Sequence, residues 1–503
     1  MHIEHLSPRL LLPAALVLAL AACGRGDDGG AGAEARPQGN RWGTLEFVPC
    51  ALSNPAGGKG IDARCTTLEV PEDPASPDGR RIGLNIAWVP ASNETDATAD
   101  PLFMLAGGPG QAAVATYPQL DAAFKEVRKT RHVILVDQRG TGKSNLLDCP
   151  MDDPEQLADA ANMGAMASRC RHTLQQRADL RFYTTGDAIR DLDTVRQALG
   201  VPRINLMGVS YGTRVAQQYA LQHPQHTRTV LLDSVVPNTL PLGNLWARNL
   251  EDALALQFAR CEGQPTCKDK LGAPREQLDA LMTRLRSDPP LVRYRDAATN
   301  QQREERLTPE MVTGLVRMFA YAPHAAALLP NLIHEANRGR YDGLMALTRM
   351  LSDTISDSMA MGMQFSVICA EDGDSLVARE EDAGTLLGNS ITEGIAAACR
   401  DWPRGTVAGN FRTPLSGELP VLAISGEHDP VTPPRYGDEA VAGLPNGRHL
   451  TLRGQGHNVI GAGCMPKLFA QFVERADATG LDATCLDNLT YVPPFTSFNG
   501  WEP

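Results

Sequence analysis

Ser210 stands in Gly208-Val209-Ser210-Tyr211-Gly212, a G-x-S-x-G pattern. The apolar run Ile204 to Met207 precedes it and Thr213 to Leu221 reads as a helix, so the serine falls at a strand-to-helix turn. Backbone at such a turn is strained and its neighbours approach closely, which is why glycine flanks it, and the hydroxyl projects from the carboxyl edge of a sheet. A serine hydroxyl is a weak nucleophile at neutral pH and needs a base. Of eleven histidines, His449 and His457 lie beyond the last strong strand signal and its acidic loop. His449 alternates within Arg448-His449-Leu450-Thr451-Leu452 and reads as a strand residue. His457 lies in Gly454-Gln455-Gly456-His457-Asn458, a glycine loop that presents an imidazole without crowding, and is the expected base. The acid that orients it should follow a strand, and Gly426-Glu427-His428-Asp429-Pro430 follows Val421 to Ile424. Asp429 is favoured, Glu427 is the neighbouring alternative, and the bland reading is an aspartate capping the turn before Pro430.

Acyl transfer also needs two N–H donors for the developing oxyanion. One is expected from Tyr211, directly after the nucleophile. The other is expected from Ala106-Gly107-Gly108-Pro109-Gly110-Gln111 after the run Leu102 to Leu105, with Gly108 the first choice. Two phosphate-loop look-alikes compete for this region. Gly108-Pro109-Gly110-Gln111-Ala112-Ala113 fits G-x-G-x-x-A, with Asp137 ending a later strand, but Pro109 removes a donor from the turn. Gly142-Lys143-Ser144 resembles the end of a P-loop, yet Asp137 stands where its first glycine is required.

These residues need a scaffold, and the chain is patterned for one. Leu102 to Leu105, Val133 to Val136, Ile204 to Met207, Val230 to Leu232 and Val421 to Ile424 are short continuous apolar runs with glycine or acidic exits. Such runs suit parallel strands buried on both faces by helices, an α/β fold. Ile82 to Val89 alternates in part, as a strand near a sheet edge would. Ile189, Leu192, Val195 and Leu199 form a helical stripe that stops at Gly200. Between Pro237 and Pro420 the texture turns helical, with Leu250 to Ala259, Glu276 to Leu285, Pro309 to Phe319 and Ala325 to Asn337 as helices and no further strand run. The segment reads as an inserted cap rather than a second domain, because the strand pattern resumes at Val421. The expected organisation is an export segment 1–23, a flexible linker 24–41, a core from 42–240 and 419–503, and a mainly helical cap 241–418.

Eleven cysteines are an odd count. Leu10 to Ala22 is too short to span a bilayer but suits a signal-peptide core. Its end, Leu20-Ala21-Ala22-Cys23, resembles the lipobox of bacterial lipoproteins, which implies lipidation of Cys23 and, with Gly24 following, an outer-membrane anchor facing the periplasm. An ordinary signal peptide is the alternative. The other ten fall into five sequential neighbours: Cys50/Cys65, Cys149/Cys170, Cys261/Cys267, Cys369/Cys399 and Cys464/Cys485. Sequence does not determine connectivity, but nearest-neighbour pairing is the simplest, and an oxidising compartment lets such bridges persist. Metal-ligand spacing is missing, so disulfides are preferred to a metal site.

Taken together, Gly107-Gly108-Pro109-Gly110, Asp137 to Ser144, Gly208 to Gly212, Gly426 to Asp429 and Gly456-His457 resemble the proline iminopeptidase and tripeptidyl aminopeptidase family of α/β-hydrolase exopeptidases. The likeness runs from about residue 42 onward and is closer to the tripeptidyl branch. Ala106 departs from it, standing where iminopeptidases usually carry histidine, so strict prolyl specificity does not follow. The resemblance implies a Ser210–Asp429–His457 triad that cleaves near the free N-terminus of peptides, releasing tripeptides or single residues. It also implies acidic side chains from the cap that hold the substrate's amino group, with Glu371 and Asp372 beside Cys369 the candidates and a solvated acidic pair the alternative.

Composition bounds the rest. The 503 residues are 43% hydrophobic, enough for a sizeable core, and carry a net charge of −12, which argues against a nucleic-acid partner. No metal or organic cofactor is expected. Two other readings remain: an esterase or lipase on the same triad, and a catalytically silent surface lipoprotein that binds. Oligomeric state is not legible.

Overall fold

The continuous apolar runs become the central strands of one nine-stranded sheet. In chain order its strands are β1 Val48–Leu52, β2 Ile61–Pro71, β3 Arg81–Val89, β4 Leu102–Leu105, β5 Val133–Val136, β6 Ile204–Val209, β7 Thr227–Asp233, β8 Val421–Gly426 and β9 Gly447–Leu452. The computed structural model describes residues 37–501, apart from 55–56, 58–59, 150–159, 297–298 and 357–358. Cys23 and the export segment 1–23 lie outside the described residues, as do linker residues 24–36.

Across the sheet the order is β9-β8-β7-β6-β4-β5-β3-β2-β1. From β5 to β9 all neighbours are parallel, and β3, β2 and β1 add antiparallel strands. Alternate side chains supply opposite faces. Phe103, Ile134, Leu206, Val230 and Ala423 join one apolar cluster. Met104, Leu135, Met207, Leu231 and Leu422 join the other. Helices cover both, as a parallel sheet requires. The protein has the α/β-hydrolase type of architecture: a large, mostly parallel sheet between helices.

The chain reverses its progress across the sheet at β4. Strand β5 lies on one side of it and β6 on the other. Loops leaving the carboxyl ends of β4 and β6 therefore diverge, and this is where open α/β sheets form their ligand crevices. The helix Thr185–Leu199 feeds β6, opened by a capping box of Thr184 and Asp187 and stopped by Gly200 at φ 68°.

Strand β3 is third from the edge, not at it. The outer two strands escape a periodicity reading because their mixed burial never produces a clean apolar face. Between β7 and β8 the chain is mainly helical, but it also contains a hairpin, Leu291–Arg295 with Gln302–Arg306. Its strands are rich in Arg and Glu and bury only Val292 and Tyr294, which conceals them in the sequence. The single helix expected from Ala325 to Asn337 is two, Pro323–Ala326 and Leu329–Asn337, each with a proline in its first turn. Proline is favoured there because it lacks the N–H that a helix start leaves unpaired. The inserted helices pack around their own apolar cluster, including Leu254, Leu281, Leu315 and Leu332. No described helix is long and apolar enough to cross a membrane.

Five disulfides join Cys50–Cys65, Cys149–Cys170, Cys261–Cys267, Cys369–Cys399 and Cys464–Cys485. The fourth ties the helix Met361–Glu371 to the helix Ser390–Cys399 across 30 residues. Closing a loop of that size restricts the unfolded chain by about 3–4 kcal/mol. Replacing Cys369 and Cys399 together by serine is expected to lower unfolding stability by about 2–4 kcal/mol in denaturant titrations.

Candidate active site

The geometry starts from a backbone conformation. Ser210 has φ 54° and ψ −123°, a region a residue with a side chain rarely enters. It links β6 to the helix Tyr211–Gln222 with no residue between turn and helix. The turn closes only because both flanking glycines lack a Cβ. A Cβ at Gly208 would sit 2.3 Å from the Gly212 carbonyl oxygen, and one at Gly212 would sit 2.3 Å from that of Leu105. Residue 107, on the loop after β4, passes directly over the serine: a Cβ there would be 3.1 Å from that of Ser210.

The N–H of Tyr211 opens a helix, where N–H groups have no intrahelical acceptor and a partial positive charge gathers. The Gly108 loop is held beside it by Asp137, at the end of β5. This carboxylate accepts the Val114 N–H at 2.9 Å, the Asn85 side-chain N–H at 2.7 Å and the Lys143 N–H at 3.2 Å. The first of these secures the helix Ala113–Phe124 that follows the glycine loop. Both phosphate-loop look-alikes are thereby explained: a carboxylate, not an anion site, fills the turn. Arg139 of the same stretch is a buried clamp, bidentate to Asp191 and bonded to the carbonyls of Glu72 and Phe182.

His457 and Asp429 come together. Asp429 Oδ2 accepts from His457 Nδ1 at 2.8 Å and from the Thr432 hydroxyl at 2.9 Å, while its Oδ1 accepts the N–H groups of Val431 and Thr432. Burial favours the neutral acid, but His457 and these donors outweigh it and hold Asp429 below the ordinary carboxylate value, so it stays charged. Burial in turn opposes the protonated imidazole, and Asp429, then Asp233, overcome this and raise His457 above its ordinary value. His457 donates its backbone N–H to the Tyr321 carbonyl at 2.8 Å, and the Tyr321 ring stands edge-on to the imidazole at 5.0 Å.

The alternatives are engaged elsewhere. Glu427 accepts the Gly454 N–H and the Tyr491 hydroxyl. His449, in β9, faces Asp438 and Ser425. Asp372 is not free for a substrate amine, because its two oxygens meet Arg214 and Arg412. Glu371 is different. Its Oε1 accepts the Thr185 N–H at 2.7 Å, Arg214 is 3.9 Å away, and its Oε2 is buried with no hydrogen-bond partner. Burial raises its acid to about 7 against the pull of Arg214. Thr185 also bonds the Tyr211 hydroxyl at 2.6 Å, so Glu371 lies one residue removed from the nucleophile's neighbour. Tyr321, Thr432, Asp233 and Ser234 touch this site without a sequence signal of their own, since no motif marks a residue that acts through a carbonyl or a loop contact. Among the described residues no group of three or more His, Cys, Asp or Glu side chains is arranged to hold a metal ion.

Residues 100–265, which contain Ser210, match the family model for the alpha/beta hydrolase fold. Residues 384–485, which contain Asp429 and His457, match that for TAP-like protein. Over 452 residues the chain is 26% identical to the serine protease Hip1 of Mycobacterium tuberculosis (strain ATCC 25618 / H37Rv), covering 83% of this chain and 85% of that protein. It is 29% identical over 191 residues to the tripeptidyl aminopeptidase of Streptomyces lividans, covering 34% and 35%. It is also 27% identical over 439 residues to carboxylesterase B of Mycobacterium tuberculosis (strain CDC 1551 / Oshkosh), covering 79% and 81%.

In histidine-selective NMR, the His457 imidazole is expected to titrate above the ordinary 6.5, since two carboxylates stabilise its charged form. Asp429→Asn is expected to move that titration to lower pH.

Proposed function

We propose that this chain, which matches the models for the alpha/beta hydrolase fold and TAP-like protein and is similar to a serine protease and a tripeptidyl aminopeptidase, is an exopeptidase that cleaves near the free N-terminus of peptides by a Ser210–Asp429–His457 triad. The observation that carries this reading is the buried 2.8 Å contact between His457 and Asp429, combined with a serine held at a strained strand-to-helix turn. Ser210 Oγ attacks the scissile carbonyl and passes its proton to His457. Asp429 fixes the imidazole tautomer through Nδ1 and stabilises the imidazolium. The N–H groups of Tyr211 and Gly108 receive the negative charge that develops on the carbonyl oxygen. His457 then protonates the leaving amine, and water releases the acyl group by the same route.

Glu371 is the candidate for the substrate's ammonium, and Asp372 is not. The Glu371 Oε2 has Arg214 at 3.9 Å but no hydrogen-bond partner, and an incoming ammonium would supply one. The Glu371 side chain is 1% exposed, so the amine is buried with it and a blocked N-terminus is excluded. Length of the released peptide belongs to the same proposal: tripeptides, as in the name of the Streptomyces relative, or single residues. A lipid anchor at Cys23 would hold the enzyme in the bacterial cell envelope, facing the periplasm. Esterase activity is the second reading, supported by the likeness to a carboxylesterase.

A panel of tripeptidyl, aminoacyl and prolyl anilides, run against short acyl esters, separates the readings. Peptidyl anilide turnover is expected, and ester turnover with no anilide turnover overturns the peptidase assignment. Ser210→Ala is expected to reduce kcat/KM by roughly 10⁴- to 10⁶-fold. The rate is expected to fall with acidification through the raised His457 value, because the base must be neutral to accept the serine proton. Glu371→Gln is expected to raise KM for substrates with a free amine while leaving short acyl esters, which carry no amine, unchanged; equal losses on both assign Glu371 to structure.

A further inference from the structure

We infer that Asp233 and Ser234 are positioning residues for the catalytic base: the pair fixes the His457 loop against the nucleophile turn, and the Asp233 carboxylate is a second counter-charge for the imidazolium. The inference rests on the triad reading above. It goes beyond that reading because neither residue contacts the reacting atoms or belongs to a motif.

Asp233 ends β7 and is fully buried. Its Oδ1 accepts the Val459 N–H at 2.9 Å, and its Oδ2 accepts the N–H groups of Val459 and Ile460 at 3.0 and 2.9 Å. Ser234 Oγ accepts the Asn458 N–H at 2.7 Å and donates to Asp233 Oδ1 at 3.1 Å. Three consecutive N–H groups, those of the residues directly after His457, therefore end on this one dipeptide. The same dipeptide reaches the other two members through its backbone. The Asp233 carbonyl accepts the Ser210 N–H at 2.9 Å, and the Ser234 N–H donates to Ile424 in β8, the strand whose exit loop carries Asp429.

Two residues in this join have backbone that side chains disfavour, Ser234 at φ 61° and Asn458 at φ 70°. Each such conformation costs of order 1–3 kcal/mol and persists only where surrounding contacts hold it. The contacts holding these two are the hydrogen bonds just named. A rigid loop matters because a base that drifts by about 1 Å loses the near-attack geometry on which proton transfer depends.

The charge argument is separate from the positioning argument. The groups that face His457 are Asp429 and Thr432 from the loop after β8, Tyr321 and Arg317 from the inserted segment, and Asp233 from β7. Arg317 opposes the imidazolium, and the two carboxylates favour it. Burial pushes the Asp233 acid up to about 6, with the N–H groups of Val459 and Ile460, His457 and Ser234 opposing this, and its charged neighbour is His457 rather than a lysine or arginine. The Val459 and Ile460 contacts hold this fully buried carboxylate two and three residues along the chain from His457, where its charge acts on the imidazole.

The test uses the intact protein and two variants. Asp233→Asn removes the charge and turns an amide toward the loop N–H groups, and Ser234→Ala removes the Asn458 contact while keeping the charge. Steady-state kinetics on the best anilide or ester, across pH, are combined with histidine-selective NMR titration. Asp233→Asn is expected to lower kcat about tenfold or more, with KM little changed, and to shift both the acid limb of kcat/KM and the His457 titration to lower pH. Ser234→Ala is expected to lower kcat with the titration unmoved. Wild-type kcat in both variants, or an unshifted His457 titration in Asp233→Asn, overturns the inference. If Asp233→Asn does not fold, Ser234→Ala decides: wild-type kcat overturns the inference and a reduced kcat supports it. Retained activity in Ser210→Ala would instead reject the triad, and the NMR titration tells the two failures apart.

Discussion

The nucleophile turn is the constraint to which the rest of the site is fitted. Ser210 occupies backbone space that its own Cβ disfavours, and the strand and helix on either side come so close that only glycine fits at 208 and 212. A strained turn does not persist in isolation, since an alternative of order 1–3 kcal/mol lower in energy would dominate. It persists here because β6 is buried in the middle of the sheet, hydrogen-bonded to β4 and β7 along its length. The helix that follows packs back over those strands. The Ser210 N–H is also held by the Asp233 carbonyl of the adjacent strand.

Three buried aspartates repeat one physical device around this turn. Asp137 leaves β5, Asp233 ends β7 and Asp429 follows β8, and each accepts at least two backbone N–H groups from the segments around the site. Asp137 secures the helix behind the Gly107–Gly110 loop, Asp233 the segment after His457, and Asp429 the His457 ring itself. Hydrogen bonds from backbone to a buried carboxyl group are more directional than apolar contact, and inside a protein they are weakly screened. A carboxylate at a strand end therefore fixes an irregular loop to a regular sheet. This is how a site built from four loops acquires the stiffness of the sheet.

The inserted segment between β7 and β8 contributes more than cover. Tyr321 takes the backbone N–H of His457 and sets a ring against its imidazole. From the other side, Glu371 reaches the start of the helix Thr185–Leu199 and sits beside the Tyr211 network. The Cys369–Cys399 bridge stands two residues from that carboxylate, so its position is set covalently as well as by packing. The positions of His457 and Glu371 thus both depend on the inserted segment.

Much of this was written in the chain. Mostly apolar runs mark β4 to β8 because strands buried on both faces admit few polar residues, and the glycines around Ser210 mark the turn because a Cβ at 208 or 212 would clash with backbone. The odd cysteine count leaves one thiol over and the lipobox resemblance singles out Cys23, while the nearest-neighbour pairing of the other ten is the one the structure shows. The outer strands β1 and β2, the Arg/Glu hairpin and the split at Pro330 were not legible, because half-exposed strands carry no period and proline serves a helix start as readily as a break. What only the tertiary structure decided is which polar groups meet. It set Asp429 rather than Glu427 against His457, assigned Asp372 to two arginines, left one Glu371 oxygen without a partner, and brought Asp233 beneath the base. These are pairings across 28 to 227 residues, and sequence records residue type and local spacing, whereas such distances are set by how strands order themselves in a sheet.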